Sequence, residues 1–240
     1  MLPYEEPLLR AIQKAHIDEK EYAEAKAFYL AVQDVFSALS SGDNLDNLDN
    51  LGDLDNLGKL NNSDNLDTLG NLNNLGTIID VCSGNGMNGF FWLLQSAAEN
   101  AIFVDPFHNS NFYALEEIFG RFDKELKQRY SYVPQKIEEY AYESTDSTLV
   151  TAIHACGSLT DRVIEFALEH KFPFAVMPCC YGYAKEFLPL DKKILDSFPH
   201  KDECIDTARI MKVQAQDYAV YVRTISSKIT QMNRIIIGIP

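Results

Sequence analysis

The sequence has no excess of basic residues, no regular cysteine framework and no long apolar run. Its 21 lysines and arginines stand against 35 aspartates and glutamates, a formal net charge of −14, which argues against a broad electrostatic grip on nucleic acid. The five cysteines form no even-numbered framework, so a reducing compartment fits best. A run of about 18 apolar residues occurs nowhere, and the N-terminus has no apolar signal segment. We therefore expect a soluble, cytoplasmic protein with no membrane partner, and its oligomeric state stays open.

The chain does contain enough apolar material for one sizeable domain, since 46% of its 240 residues are hydrophobic. Residues 1–42 are predicted to form an N-terminal helical segment, because apolar residues such as Leu8, Ile12 and Val32 recur at helical intervals between charges. One or two amphipathic helices are expected there. They would cover a sheet face or close a lid, with no chemistry of their own.

Residues 43–75 form a low-complexity insert in which leucine occupies every third position except Ser63. A period of three matches neither an α-helix nor a β-strand, so the leucines cannot line a single face of either. The intervening Asn, Asp and Gly favour turns. We predict a mobile insert, with a packed repeat as the alternative. Its seven aspartates and one lysine contribute −6 of the net charge of −14, so the rest of the chain is less acidic than the total suggests.

Residues 76–240 alternate between short apolar runs and amphipathic segments. Such alternation predicts strand, helix, strand units and a mostly parallel sheet that is covered on both faces. The expected fold is therefore a doubly wound α/β domain. Ser158 and Asp161 are spaced as a capping box for one of its helices. After the fifth predicted strand, helix is expected through residues 202–229, and "RIIIGIP" is the one evident later strand.

The turn after the first predicted strand, "DVCSGNGMNG", carries the candidate cofactor residues. Gly84, Gly86 and Gly89 have the G-x-G-x-x-G spacing of a dinucleotide site. Asp80 stands at the end of the strand, where dinucleotide sites usually have an apolar residue. Asp105 ends the second strand, where a carboxylate can accept both hydroxyls of a ribose. These residues predict a nucleotide-type cofactor, and the glycines alone do not choose which.

Two later strand ends carry thiols and an imidazole, in "HACGSLTD" and "MPCCYG". If the two strands are neighbours, His154 and Cys156 lie close to Cys179 and Cys180 at one edge of the sheet.

Together with "DVCSGNG", these motifs resemble the methyltransferase domain shared by the methyltransferase-like 25 group, the ribosomal RNA adenine dimethylase domain-containing proteins and the glutathione S-transferase C-terminal domain-containing protein. They are more distantly similar to tRNA 2′-O-methyltransferases of the acceptor stem. The resemblance covers roughly residues 77–182.

The resemblance implies a Rossmann-like class I fold with the fourth and fifth strands side by side, and S-adenosylmethionine as cofactor. It implies cofactor binding through Asp80, Gly84, Gly86 and Asp105, with Cys82 where the pattern usually has glycine. It also implies a reaction edge at the four residues of the two later motifs (His154, Cys156, Cys179 and Cys180). The expected acceptor is RNA, either tRNA or rRNA, or another oxygen or nitrogen nucleophile. Glu138 and Glu139 are candidates for adenine recognition.

Several chemistries stay open at the reaction edge. The residues could orient an acceptor, with His154 as the base; a thiolate could attack a pyrimidine ring; or His154 and the three cysteines could bind zinc. The cysteines could equally be buried structural residues. For the whole chain, the alternatives to a methyltransferase are an NAD(P)-dependent oxidoreductase that uses the glycine turn and a catalytically silent scaffold.

Overall fold

The computed structural model of the protein describes residues 4–41, 75–142 and 147–240. The predicted mobile insert at 43–75 lies outside these residues except for Leu75, which is buried, so that prediction is untested.

A seven-stranded sheet forms the centre of the fold, with the strand order β3-β2-β1-β4-β5-β7-β6. The first five strands pair in parallel, whereas β7 is antiparallel to both β5 and β6. The doubly wound, mostly parallel α/β prediction is confirmed, as is the placement of the fourth strand beside the fifth. The strands are β1 (Thr77–Val81), β2 (Asn100–Val104), β3 (Tyr130–Val133), β4 (Thr148–Ile153), β5 (Phe174–Met177), β6 (Ala219–Thr224) and β7 (Arg234–Ile239).

Helices cover the sheet and form the N-terminal segment. They are α1 (Glu5–Lys14), α2 (Glu19–Ser41), α3 (Met87–Gln95), α4 (Phe112–Phe119), α5 (Leu159–His170), α6 (Lys192–Leu195) and α7 (Lys201–Gln214). The predicted N-terminal helices are confirmed. Across the described parts of the chain, no helix combines the length and the apolar character that crossing a membrane requires.

Helix α2 packs directly on α3 and belongs to the same hydrophobic core as one face of the sheet. The ring of Tyr29 lies edge-on to Trp92 at 4.8 Å, and its hydroxyl donates to the backbone oxygen of Gln95 at 2.7 Å. Tyr22 makes a similar edge contact with Phe91 at 5.7 Å. Aromatic contacts of this kind add to the burial of apolar area, so α2 is an integral layer of the fold.

The C-terminal part of the sheet differs from the prediction. Residues 219–224, expected to be helical, form β6, while α7 ends at Gln214. The segment "AVYVRT" is rich in β-branched and aromatic residues, and antiparallel pairing with β7 satisfies its backbone. The sheet is therefore complete at the edge where the sequence had indicated only one late strand.

The predicted capping box at the start of α5 is also wrong. Ser158 is the N-cap residue, but its side chain makes no capping hydrogen bond. Asp161 is instead fully buried, where it accepts from the backbone N–H of Ala184 at 2.6 Å and from Nε of Arg209 at 2.7 Å. A tertiary ion pair has replaced the local contact, because a buried carboxylate needs a charged or hydrogen-bonding partner.

Candidate functional site

The chain reverses its direction of winding between β1 and β4, which are neighbours at the centre of the sheet. In open α/β sheets a crevice forms outside the carboxyl ends of the strands at such a switch point, and ligands bind there. Apart from Glu138 and Glu139, which follow β3, the predicted site residues are in or next to segments that leave this end of β1, β2, β4 or β5.

The turn between β1 and α3 is built from left-handed backbone. Gly84 and Gly86 have φ values of +55° and +83°, which residues with a Cβ adopt only at a cost. A Cβ on Gly86 would lie 2.8 Å from the ring of Phe112, whereas one on Gly84 would meet nothing within 4 Å. Space is therefore open beside Gly84, where a ligand could approach the backbone closely.

Cys82 also has positive φ, +56°, at the position where the family pattern usually has glycine. Its N–H donates to the backbone oxygen of Val104 at 2.9 Å, which ties the end of β1 to that of β2. Burial, followed by the charges of Asp105 and Asp80, raises the pKa of the Cys82 thiol to about 12. The side chain is thus a neutral thiol in a conformation that favours glycine.

Asp80 lies behind the turn and supports it from inside the sheet. Its carboxylate accepts from Nδ2 of Asn88 at 2.6 Å, from the N–H of Gly89 at 3.1 Å and from the hydroxyl of Thr151 at 3.4 Å. Burial raises its pKa to about 7, although these hydrogen bonds act in the opposite direction. Asp80 fixes the start of α3 relative to β1 and β4.

Asp105 joins the glycine turn to the end of β2. Its Oδ2 accepts from the N–H of Gly84 at 3.0 Å, and its Oδ1 accepts from the N–H of Phe107 at 2.8 Å. A carboxylate offers about four lone-pair sites, so the donors within the described ranges leave about two of its acceptor positions free. The side chain is half-buried and can still receive hydroxyl donors.

Two buried polar atoms next to the turn lack hydrogen-bond partners within the described residues, Oγ of Ser83 and Oδ1 of Asn88. Buried polar atoms in folded proteins are nearly always paired, so these two oxygens are groups that a polar ligand at the turn could satisfy. Their position fits a polar ligand bound at this turn.

His154 follows β4 with φ +62°, and its backbone N–H donates to the backbone oxygen of Met177 at 3.0 Å. Its Nε2 lies 2.9 Å from Oε2 of Glu24, a buried carboxylate of α2. Burial tends to raise the pKa of Glu24, but its interactions with His154, Thr230 and Lys20 together hold the pKa below its usual value. A carboxylate therefore orients the imidazole.

Glu24 was not among the site residues predicted from the sequence. It lies 130 residues from His154 along the chain, within a pattern that predicted only an amphipathic helix. The one available signal was an acidic residue directly before Ala25 on the apolar face. A second acid of α2, Glu21, accepts a hydrogen bond from Asn85 of the glycine turn. Helix α2 thus contacts both the turn and the imidazole.

The three cysteines of the reaction edge converge. Sγ of Cys156 lies 2.6 Å from Sγ of Cys179 and 3.6 Å from Sγ of Cys180, and the adjacent Cys179 and Cys180 sulfurs are 3.7 Å apart. Burial is the largest cause that raises the pKa values of Cys156 and Cys179, which disfavours the free thiolate that attack on a pyrimidine would need.

The alternative of a zinc site with His154 as fourth ligand is not assembled among the described residues, where His154 is paired with Glu24. Within the described residues, the ligand atoms that lie mutually within 4.8 Å are those of the three cysteines. Glu138 and Glu139 lie in a 3₁₀ turn after β3, where Glu138 is 3.8 Å from Arg162. Their role in adenine recognition stays a prediction.

Comparison with known proteins agrees with this architecture. A family model described as "Methyltransferase domain" matches residues 62–186. The glutathione S-transferase C-terminal domain-containing protein of Xenopus laevis is 28% identical over 133 residues, which cover 54% of this chain and 21% of that protein. The mouse protein of the same name is 34% identical over 58 residues, covering 22% of this chain and 9% of that protein. The match thus spans about a fifth of the length of the frog relative.

Solved structures with similar chain traces include a Bacillus subtilis tRNA methyltransferase, with 11% identity and a TM-score of 0.46 over 70% of this chain and 60% of the other. An rRNA methylase from Streptococcus thermophilus has 11% identity and a TM-score of 0.42 over 70% of this chain and 87% of the other. The family model covers slightly more than half of the sequence, including the glycine turn and all three clustered cysteines. The chain therefore belongs to the methyltransferase domain family.

Proposed function

We propose that the protein transfers the methyl group of S-adenosylmethionine to an oxygen or nitrogen nucleophile. One observation carries the proposal: the open, left-handed turn at Gly84 is hydrogen-bonded to Asp105 at the carboxyl ends of two adjacent parallel strands. This arrangement places a close backbone approach and a carboxylate in one crevice. An oxidoreductase with a nicotinamide cofactor is not favoured, because the family is one of methyltransferases.

The residues present fit the cofactor. Gly84 and Gly86 would lie against its methionine part, and Asp105 would accept hydrogen bonds from the ribose hydroxyls with its free lone pairs. Ser83 and Asn88 provide buried polar atoms that a ligand could satisfy. Asp80 would hold the turn in place from behind, and the thiol of Cys82 would lie beside the bound ligand.

The cofactor supplies an electrophilic methyl group on a sulfonium, and the protein has to orient and deprotonate the acceptor. The bond to Glu24 places a proton on Nε2 of His154, which leaves Nδ1 as an acceptor. Nδ1 is buried and has no partner among the described residues. In our proposal His154 takes a proton from the attacking group once its buried Nδ1 is brought into contact with the acceptor, and Glu24 stabilises the resulting imidazolium. Cys156, Cys179 and Cys180 would line the acceptor side.

RNA, either tRNA or rRNA, is the acceptor class that we place first. Phe107 and Tyr113, in the segment after Asp105, are 81% and 61% exposed, and the ring of His108 stacks on Tyr113 at 4.8 Å. Exposed aromatic rings offer stacking surfaces for unpaired bases. The net charge of −14 weighs against extensive backbone contacts, so recognition of a short single-stranded element is expected.

Calorimetry with S-adenosylhomocysteine tests the cofactor. We expect one site per chain, with affinity lost in Asp105→Ala and retained in Glu203→Ala, which removes an exposed charge from α7. Absence of binding by the intact protein would overturn the proposal, as would equal binding by Asp105→Ala.

The acceptor is tested by incubating the protein with methyl-labelled cofactor and total RNA. Label in RNA, reduced in His154→Ala, supports the assignment. Cofactor binding without transfer to RNA, protein or small molecules would instead indicate a silent scaffold.

A further inference from the structure

We propose that Cys156, Cys179 and Cys180 form a binding site for a thiophilic divalent cation, of which Zn²⁺ is the probe. The site has three thiolate ligands and one open coordination position. This inference goes beyond the proposed methyl transfer and does not depend on it.

Two of the three sulfur–sulfur distances match the geometry of a tetrahedral zinc site. With Zn–S bonds of about 2.3 Å, neighbouring sulfurs in a tetrahedron are about 3.8 Å apart. Two of the three pairs in the cluster, at 3.6 and 3.7 Å, agree with this value. The third, Cys156 to Cys179, is 2.6 Å, and a rotation of the exposed Cys156 side chain would open it.

Adjacent cysteines seldom reach one metal ion, and on sequence alone this spacing argued against a site. Here the chain leaves β5 in a way that brings both sulfurs to the same side. Strands β4 and β5 are in register, with Ile153 opposite Met177. Cys156 and Cys179 lie three and two residues beyond this pair, so the loops that carry them leave the same edge of the sheet side by side.

A buried arginine clamps together the two loops that carry the cysteines. Arg209 is fully buried, and its Nη2 donates to the backbone oxygens of Gly157 at 3.4 Å and Gly182 at 2.9 Å. Gly157 follows Cys156, and Gly182 lies two residues after Cys180. Arg209 is itself held by Asp161, which also accepts from the N–H of Ala184. Such a supporting layer preorganises ligands.

The ligand type limits the ion. Soft thiolates select Zn²⁺ and related thiophilic divalent ions over magnesium or calcium, which prefer oxygen. Cys156 and Cys180 are exposed, so an ion can enter from solvent. Three protein ligands leave the fourth tetrahedral position for water or an exogenous donor.

Zinc binding by the full chain tests the inference. The protein is stripped with a chelator under reducing conditions, titrated with Zn²⁺ without any cofactor and assayed by competition with a chromogenic chelator. One equivalent is expected in the parent protein and in the control Cys204→Ser. Cys156→Ser, Cys179→Ser and Cys180→Ser should each weaken binding by more than the about 10–100-fold typical of lost outer-layer contacts.

Substitution with Co²⁺ gives an independent readout, since thiolate ligation produces a charge-transfer band that the three cluster variants would lose and Cys204→Ser would keep. Circular dichroism of each variant checks that it is folded. Equal zinc binding by the parent and Cys156→Ser would overturn the proposal. A Cys156–Cys179 disulfide that persists in the zinc-titrated protein would overturn it as well. A failure to bind S-adenosylhomocysteine would leave the zinc result unaffected.

Discussion

Replacement of Asp80 by asparagine should remove much of the pH dependence of stability. The pKa of the buried carboxyl is about 7 in the folded chain, against an ordinary value of 3.8. The folded state therefore binds more protons than the unfolded state between these values, and stability falls as pH rises through this window. The pKa of Asp80 thus differs by about three units between the folded and unfolded states, and at about 1.4 kcal/mol per unit the free energy of unfolding falls by roughly 4 kcal/mol across this window.

Asparagine is isosteric but does not titrate. Urea denaturation at a series of pH values from 4 to about 8 would give the free energy of unfolding of the parent, of Asp80→Asn and of the control Asp196→Asn, which changes an exposed carboxyl. As pH rises across this range, the free energy of unfolding of the parent should fall by roughly 4 kcal/mol relative to that of Asp80→Asn. The control should run nearly parallel to the parent. Parallel curves for Asp80→Asn and the parent would refute the assignment.

Three further changes have defined outcomes. Gly86→Ala should destabilise the fold by about 2–4 kcal/mol in urea denaturation, because residue 86 has positive φ and the new Cβ would lie 2.8 Å from the ring of Phe112. Adding Phe112→Leu to this variant should recover part of the lost stability. A loss below about 0.5 kcal/mol for Gly86→Ala would contradict the reasoning. Glu24→Gln should lower kcat about tenfold or more, because the imidazole of His154 loses its carboxylate partner, and the affinity for S-adenosylhomocysteine should stay unchanged. A pH–rate profile equal to that of the parent would exclude a role of Glu24 through His154. Arg209→Met leaves the buried carboxylate of Asp161 without its charged partner and should lower the free energy of unfolding by about 3–5 kcal/mol. Equal stability of the variant and the parent in thermal denaturation would contradict this.

The parts of the fold that follow a periodic pattern could be predicted from sequence. Segments such as 77–81 and 148–153 are mostly apolar and do not alternate with charged residues, which is typical of parallel strands buried on both faces, and the structure places them at the centre of the sheet. Residues 219–224 were mistaken for helix, since their strand character depends on pairing with β7, a contact that local propensity does not contain.

The site was predictable only where it lies close to strand ends. Asp105 and the glycine turn follow from spacing, because the carboxyl ends of parallel strands meet at one edge. Glu24 could not be found in this way, because its pairing with His154 is a tertiary contact between distant segments. The contact of Asp161 was mispredicted for the same reason. Its spacing from Ser158 suggested a local helix cap, whereas the structure pairs it with the buried guanidinium of Arg209.

The contacts of α2 bear on where the smallest active fragment begins. The family match starts at residue 62, yet a chain cut there would lose Glu24 from the imidazole and Glu21 from the glycine turn. It would also uncover Phe91 and Trp92, whose rings are fully buried in the intact protein. The folded unit therefore extends upstream of the boundary of the family match, and a truncation that follows this boundary should yield an aggregating product.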